Sequence, residues 1–153
     1  MIGSAGFGGN VVTPYVQEVQ KLVEKAGERV KFTGYIENQK LYRYYQSADI
    51  QVIPSLWEEA AGLIAIEGML SGLPLIITKS GGMIEYAPSN VAVWIDRDNI
   101  IPNLEAAIIQ LADDKEKRKE MSELSLEQAK EFPKKKFYED YIEVFEHEGT
   151  GKR

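Results

Sequence analysis

The run Ala60–Thr78 contains one charged side chain, Glu67, among residues that are otherwise apolar, small or uncharged alcohols. A carboxylate in such surroundings is costly to bury unless a partner completes its hydrogen bonds. A helix begun at Leu63 places Leu63, Ile66, Glu67 and Leu70 on one face, with the small Ala65, Gly68 and Ser71 opposite. The expectation is a buried Glu67 on a closely packed helix. Such a carboxylate is either structural, tied to a backbone amide or a buried hydroxyl, or it meets a ligand rich in hydroxyl donors, a sugar or a ribose. Gly62-Leu63 opens the same helix just beyond a strand ending at Pro54-Ser55. Helix starts at the carboxyl ends of strands favour anions. An anion site at the helix start and a hydroxyl acceptor one turn further in suit a nucleotide, with phosphate beside ribose.

Other reactive groups are scarce. The chain has no cysteine, and its one histidine, His147, lies between Glu146 and Glu148 near the C-terminus. Thiol chemistry, histidine acid–base chemistry and a metal site are therefore not expected, and no cofactor is implied. The glycine loop Gly3–Gly9 fits neither the dinucleotide fingerprint nor the P-loop spacing. It reads equally as a flexible connection or as a loop whose amides approach a phosphate. Lys134-Lys135-Lys136 reads as a solvated helix start. A net charge of -6 and a pI near 4.9 argue against a nucleic-acid partner. No signal peptide is visible, and the lack of cysteine suits a reducing compartment, so a cytoplasmic location is expected.

Positioning these groups requires a sheet. Val30–Thr33, Ile50–Ile53, Leu75–Thr78 and Val91–Ile95 read as strands from their β-branched content. Between them, Thr13–Ala26, Asn38–Ala48 and Leu63–Ser71 have helical spacing, with Pro14 suited to a first turn and Gly27 and Gly72 to stops. Short strands alternating with helices predict an α/β fold, a Rossmann-like parallel sheet with helices on both faces. The run Ala60–Thr78 approaches the length of a membrane span, but Glu67, Gly62, Gly68, Gly72 and Pro74 interrupt it. A buried helix, a turn and a buried strand account for it better. Beyond Asp98 the pattern is helical: Asn103–Asp113, Glu116–Phe132 and, after Pro133, an aromatic-rich Lys134–His147.

With these elements in place, IPSLWEEAAGLIAIEGMLSGLPLIITKSGGMIEY resembles the donor-binding signature of retaining glycosyltransferases of the GT-B fold, in particular glycosyltransferase family four. The matching features are Pro54-Ser55, Glu59 and Glu67 separated by seven residues, Gly72-Leu73-Pro74, and Gly81-Gly82-Met83-Ile84-Glu85. The resemblance implies a nucleotide-sugar-binding domain over residues 1–148 and a disordered tail over 149–153. It further implies that the acceptor domain and the first strand and helix, with the Arg and Lys that clamp a diphosphate, lie outside this chain.

Residue by residue, the resemblance assigns Glu59 to the hydroxyls of the transferred sugar, as the acid nearest the reaction. Glu67 is assigned to the ribose hydroxyls. Gly62 and Leu63 form the helix start facing phosphates and sugar, Tyr35 and Ile36 the loop against the base, and Gly3 the glycine near the diphosphate. Ala60-Ala61 stand where the family usually has Pro-Phe, and Gly68 where it usually has Ala. The implied partner is a nucleoside diphosphate sugar, most simply a UDP-sugar, with an acceptor that the residues do not name. Membrane association would run only through the absent acceptor domain.

The function so implied is retaining sugar transfer in polysaccharide or glycolipid biosynthesis by the full-length protein, this fragment alone being inactive. The alternatives are a sugar-nucleotide epimerase of the same fold and a non-catalytic nucleotide-sugar-binding or assembly module. A phospho-receiver would need clustered acids at early strand ends, and Asp49 alone does not supply them.

Overall fold

The computed structural model describes residues 2, 12–58 and 62–132. The glycine loop with Gly3, the acid Glu59 with Ala60-Ala61, the segment Lys134–His147 and the tail over 149–153 lie outside the described residues. The chain divides into two compact units, Met1–Tyr44 and Tyr45–Arg153.

In the first unit, α1 runs Pro14–Ala26. The Thr13 side chain accepts a hydrogen bond from the Val16 amide at 3.2 Å, and Pro14 occupies the first turn, where its missing N–H leaves nothing unsatisfied. Gly27, at φ 65°, ends the helix, and its N–H donates to the Glu24 carbonyl. Of the apolar stripe, Val16 is buried. The helix α2, Asn38–Gln46, crosses the boundary between the units and stops two residues before the expected end. The expected strand Val30–Thr33 is not a strand among the described residues. β-branched composition supplies the backbone shape of a strand, but strand status comes from a ladder to a neighbour, which composition does not provide.

The second unit contains a parallel sheet in the order β1 (Gln51–Ile53), β2 (Leu75–Thr78) and β3 (Ala92–Ile95). Val52 faces Ile76 in the first pair, and Ile76 faces Val93 in the second. Between β1 and β2 runs α3, Leu63–Leu70; between β2 and β3 lies the short α4, Met83–Tyr86. The last two helices described are α5 (Ile100–Asp113) and α6 (Lys115–Ala129).

All four residues of β2 are buried, because alternate side chains enter cores on opposite faces. Leu75 and Ile77 join Ala65, Met69 and Met83 on one side; Ile76 joins Ala107, Leu111 and Met121 on the other. The apolar run therefore resolves, over the described residues, into a helix, a turn and a two-sided strand. No helix among the described residues is long and apolar enough to cross a membrane.

Helix α5 starts three residues ahead of the expected Asn103. Pro102 falls within its first turn, where the backbone N–H groups have no intrahelical partner and proline is tolerated. Asp114 caps α6, accepting from the Lys117 amide at 2.8 Å.

Candidate functional site

The carboxyl ends of β1, β2 and β3 open on one edge, and a set of side chains binds their loops together. Buried Thr78, the last residue of β2, donates its hydroxyl to the Ser55 carbonyl at 2.6 Å. Buried Ser80 donates to the Trp57 carbonyl. Arg97, just after β3, donates to the Leu56 carbonyl at 3.3 Å and pairs with the Glu58 carboxylate. The other Glu58 oxygen accepts the Gly81 amide at 2.6 Å. Lys79 pairs with Asp96 at 2.8 Å, joining the loops after β2 and β3 a second time. The Arg97 guanidinium, followed by the Gly81 amide, holds the Glu58 carboxyl below the usual glutamate range. The segment Pro54–Glu58 is thus pinned along its length.

Gly62 then opens α3 in the left-handed region, at φ 53°. A Cβ placed there would come within 2.3 Å of Met83 Cγ, so the loop passes directly over the start of α4. Two independent requirements, positive φ and close approach, select glycine at this position. As N-cap it contributes no side-chain hydrogen bond to the helix start. The Ala65 amide donates to the Gly62 carbonyl at 2.8 Å, and the helix dipole favours an anion at this start.

Glu67 departs from expectation. It is exposed, and it lies on the outward stripe of α3 with Leu63 (65% exposed) and Leu70 (57%). The buried face carries Ala65, Gly68 and Met69, with the small residues at its closest approach to the sheet. The reason is proximity to the sheet. A Cβ on Gly68 would meet Gln51 Oε1 at 1.7 Å and Leu75 Cδ2 at 2.9 Å, so at this position the helix lies too close to the sheet for any side chain. Periodicity separates the two faces of a helix, but the depth of the available gap decides which one turns inward.

The Glu67 carboxylate has one side-chain partner among the described residues: the Tyr45 phenol donates to Oε2 at 2.8 Å. Tyr45, at the end of α2, is half-buried against the core that contains Met69 and Leu75. Burial, then the hydrogen bond and charge of Glu67, push this phenol above its usual range, so it remains a donor. Gly62, Leu63 and Glu67 thus share the opening turns of one helix. Tyr35 (37% exposed) and half-buried Ile36 lie in the first unit, in the non-helical stretch before α2. A cavity of about 420 Å³ beside β3 includes none of these residues, and one of about 340 Å³ beneath the end of α3 is lined by Tyr45 alone among them. Among the described residues the site is an open edge.

Sequence reasoning missed Arg97, Ser80 and the Tyr45 hydroxyl, and set Glu58 aside because only Glu59 leaves seven residues before Glu67. The helical spacing of Leu41, Tyr44 and Tyr45 accounts for the Tyr45 ring and not for its hydroxyl. Arg97 carries no local signal, because its partner lies 39 residues away.

The family model for glycosyl transferases group 1 matches residues 5–128. Spore coat protein SA of Bacillus subtilis is 29% identical over 147 residues, covering 95% of this chain and 39% of that protein. A D-inositol 3-phosphate glycosyltransferase of Corynebacterium diphtheriae is 29% identical over 133 residues, covering 86% of this chain and 30% of its own length. The chain therefore spans less than two-fifths of these relatives. The solved structure of Anabaena HepE in complex with UDP and glucose superposes with a TM-score of 0.81 at 23% identity, over 95% of this chain and 39% of that one. The fold is accordingly the α/β fold of GT-B glycosyltransferases, and by the match over residues 5–128 the chain belongs to the glycosyl transferases group 1 family.

Proposed function

We propose that this chain forms the donor-binding part of a retaining glycosyltransferase that uses a nucleoside diphosphate sugar, most directly a UDP-sugar. The observation that carries this reading is α3 itself: an uncapped glycine start at a strand end, with an exposed carboxylate one turn on. The first amides of the helix suit the diphosphate, and Glu67 suits the hydroxyls of a ribose, which donate strong charge-assisted hydrogen bonds to a carboxylate oxygen. Family membership and the UDP and glucose held by the structurally similar HepE support the same donor class.

In this reading Gly62 and Leu63 receive phosphate and sugar, and Glu59 positions the transferred sugar next to the bond that breaks. Tyr35 and Ile36 lie against the base, and Gly3 lies near the diphosphate. Glu59 and Glu67 serve mainly to fix geometry, which is how an enzyme gains most from groups that do not themselves react. The acceptor is a hydroxyl compound of polysaccharide or glycolipid assembly, and the reaction takes place in the cytoplasm.

The test is calorimetry of UDP and UDP-sugars on the whole protein, wild type and Glu67→Gln. We expect binding that the substitution weakens about tenfold or more, as for a lost charge-assisted hydrogen bond. Unchanged affinity removes Glu67 from the site. Transfer is tested by NMR of the product: the donor's anomeric configuration is expected, and an inverted product refutes retention.

A further inference from the structure

The contact between Tyr45 and Glu67 carries information beyond the assignment of Glu67. The two residues lie 22 positions apart, on α2 and α3. The Tyr45 ring packs against the core, whereas the carboxylate it meets is exposed. On an otherwise free surface a glutamate samples several rotamers and loses that freedom when a ligand binds. Here one oxygen, Oε2, is held at 2.8 Å by a phenol whose ring is itself fixed. Among the described residues no side chain donates to Oε1. The backbone beneath is fixed as well, since both the Ser71 amide (3.2 Å) and the Ser71 hydroxyl (2.9 Å) donate to the Glu67 carbonyl.

We propose that Tyr45 is a positioning residue of the nucleotide site, orienting Glu67 so that its second oxygen meets the ribose hydroxyls. The proposal rests on the reading of Glu67 as the ribose acceptor. A purely structural role explains the contact poorly, because a hydrogen bond to an exposed carboxylate adds little to folding: water would serve that carboxylate as well. What the phenol adds is direction. The pre-set carboxylate loses less freedom on binding, and it discriminates by whether a ligand presents hydroxyls where Oε1 waits.

The experiment compares UDP with 2′-deoxy-UDP by calorimetry on the whole protein, using wild type, Tyr45→Phe, Glu67→Gln and the double variant. Wild type is expected to prefer UDP. Tyr45→Phe keeps the ring and removes the donor; it is expected to weaken UDP about three- to tenfold, as for one freed side chain, and to narrow the preference over 2′-deoxy-UDP. The double variant is expected to bind no more weakly than Glu67→Gln alone, because the phenol acts through the carboxylate.

Tyr45→Phe with wild-type affinity, or with both ligands weakened equally, overturns the positioning role while an effect of Glu67→Gln leaves Glu67 in the site. A silent Glu67→Gln overturns the reading of Glu67 and the proposal together. A wild type that does not distinguish the two nucleotides does the same. Thermal melting of Tyr45→Phe close to wild type separates these outcomes from misfolding.

Discussion

Glu58 and Arg97 meet across 39 residues of sequence, joining the loop after β1 to the turn after β3, while the second Glu58 oxygen holds the amide of Gly81 after β2. One carboxylate thereby ties together the loops following all three described strands. Both partners are solvent-accessible, so the arrangement contributes more to loop placement than to folding.

Arg97→Gln is therefore expected to leave the melting temperature within a degree or two, as for an exposed ion pair, and to raise the KM for the donor several-fold with a smaller change in kcat. The pH dependence has a definite sign. Because the folded-state pKa of Glu58 is lowered, its contribution is complete above the ordinary glutamate range and is lost as pH falls through the lowered value. Donor affinity of wild type should thus hold down to the usual carboxylate range and fall below it. Arg97→Gln should shift that fall to higher pH. Isothermal titration across pH 3–7 checks both, at roughly the interval over which carboxylates titrate; an unchanged profile in the variant rules out the clamp.

Gly62→Ala meets two obstacles, a φ of 53° and a Cβ that would lie 2.3 Å from Met83 Cγ. Together they should cost about 2–4 kcal/mol, measured by chemical denaturation. Adding Met83→Ala should not restore donor binding: it relieves the clash and leaves the backbone strain, at the expense of a core cavity. A tolerated Gly62→Ala, with wild-type midpoint and affinity, would show that the loop can move away from α4.

Gly68→Ala tests why α3 turns its small face inward. The added methyl would strike Gln51 Oε1, and Gln51 cannot move freely because its Nε2 donates to the Ile64 carbonyl at 3.0 Å. Overpacking of this kind is expected to destabilise by about 1–3 kcal/mol. In a Gln51→Ala background the same change should cost less than half as much, since the obstructing amide is gone. Equal costs in both backgrounds would place the constraint at Leu75 instead. Gln51 occupies the space the methyl would fill.

Local signals carried much of the fold. Thr13, Pro14 and Gly27 mark α1 because capping chemistry is confined to a few neighbouring residues. Leu75–Thr78 reads as a buried strand because its three leading residues are apolar and no charge interrupts it. The expected strand at Val30–Thr33 shows the limit, since pairing depends on a partner that composition does not specify. The boundaries of α2 and α5 also shifted, because helix ends depend on caps and neighbouring packing as well as on periodicity.

For the site, the sequence by itself determined the residue types and their order: two acids with seven residues between them, a glycine helix start in that interval, and the family pattern that follows. Tertiary structure decided what those residues face. Glu67 lies outside the core because the gap beneath α3 admits no side chain at all at Gly68, so that face turned inward and Leu63, Glu67 and Leu70 turned to solvent. Tyr45 and Arg97 acquired roles through contacts 22 and 39 residues distant. Periodicity acts within one element, whereas the choice of inward face and of long-range partner is set by the volume and polarity of what packs against it.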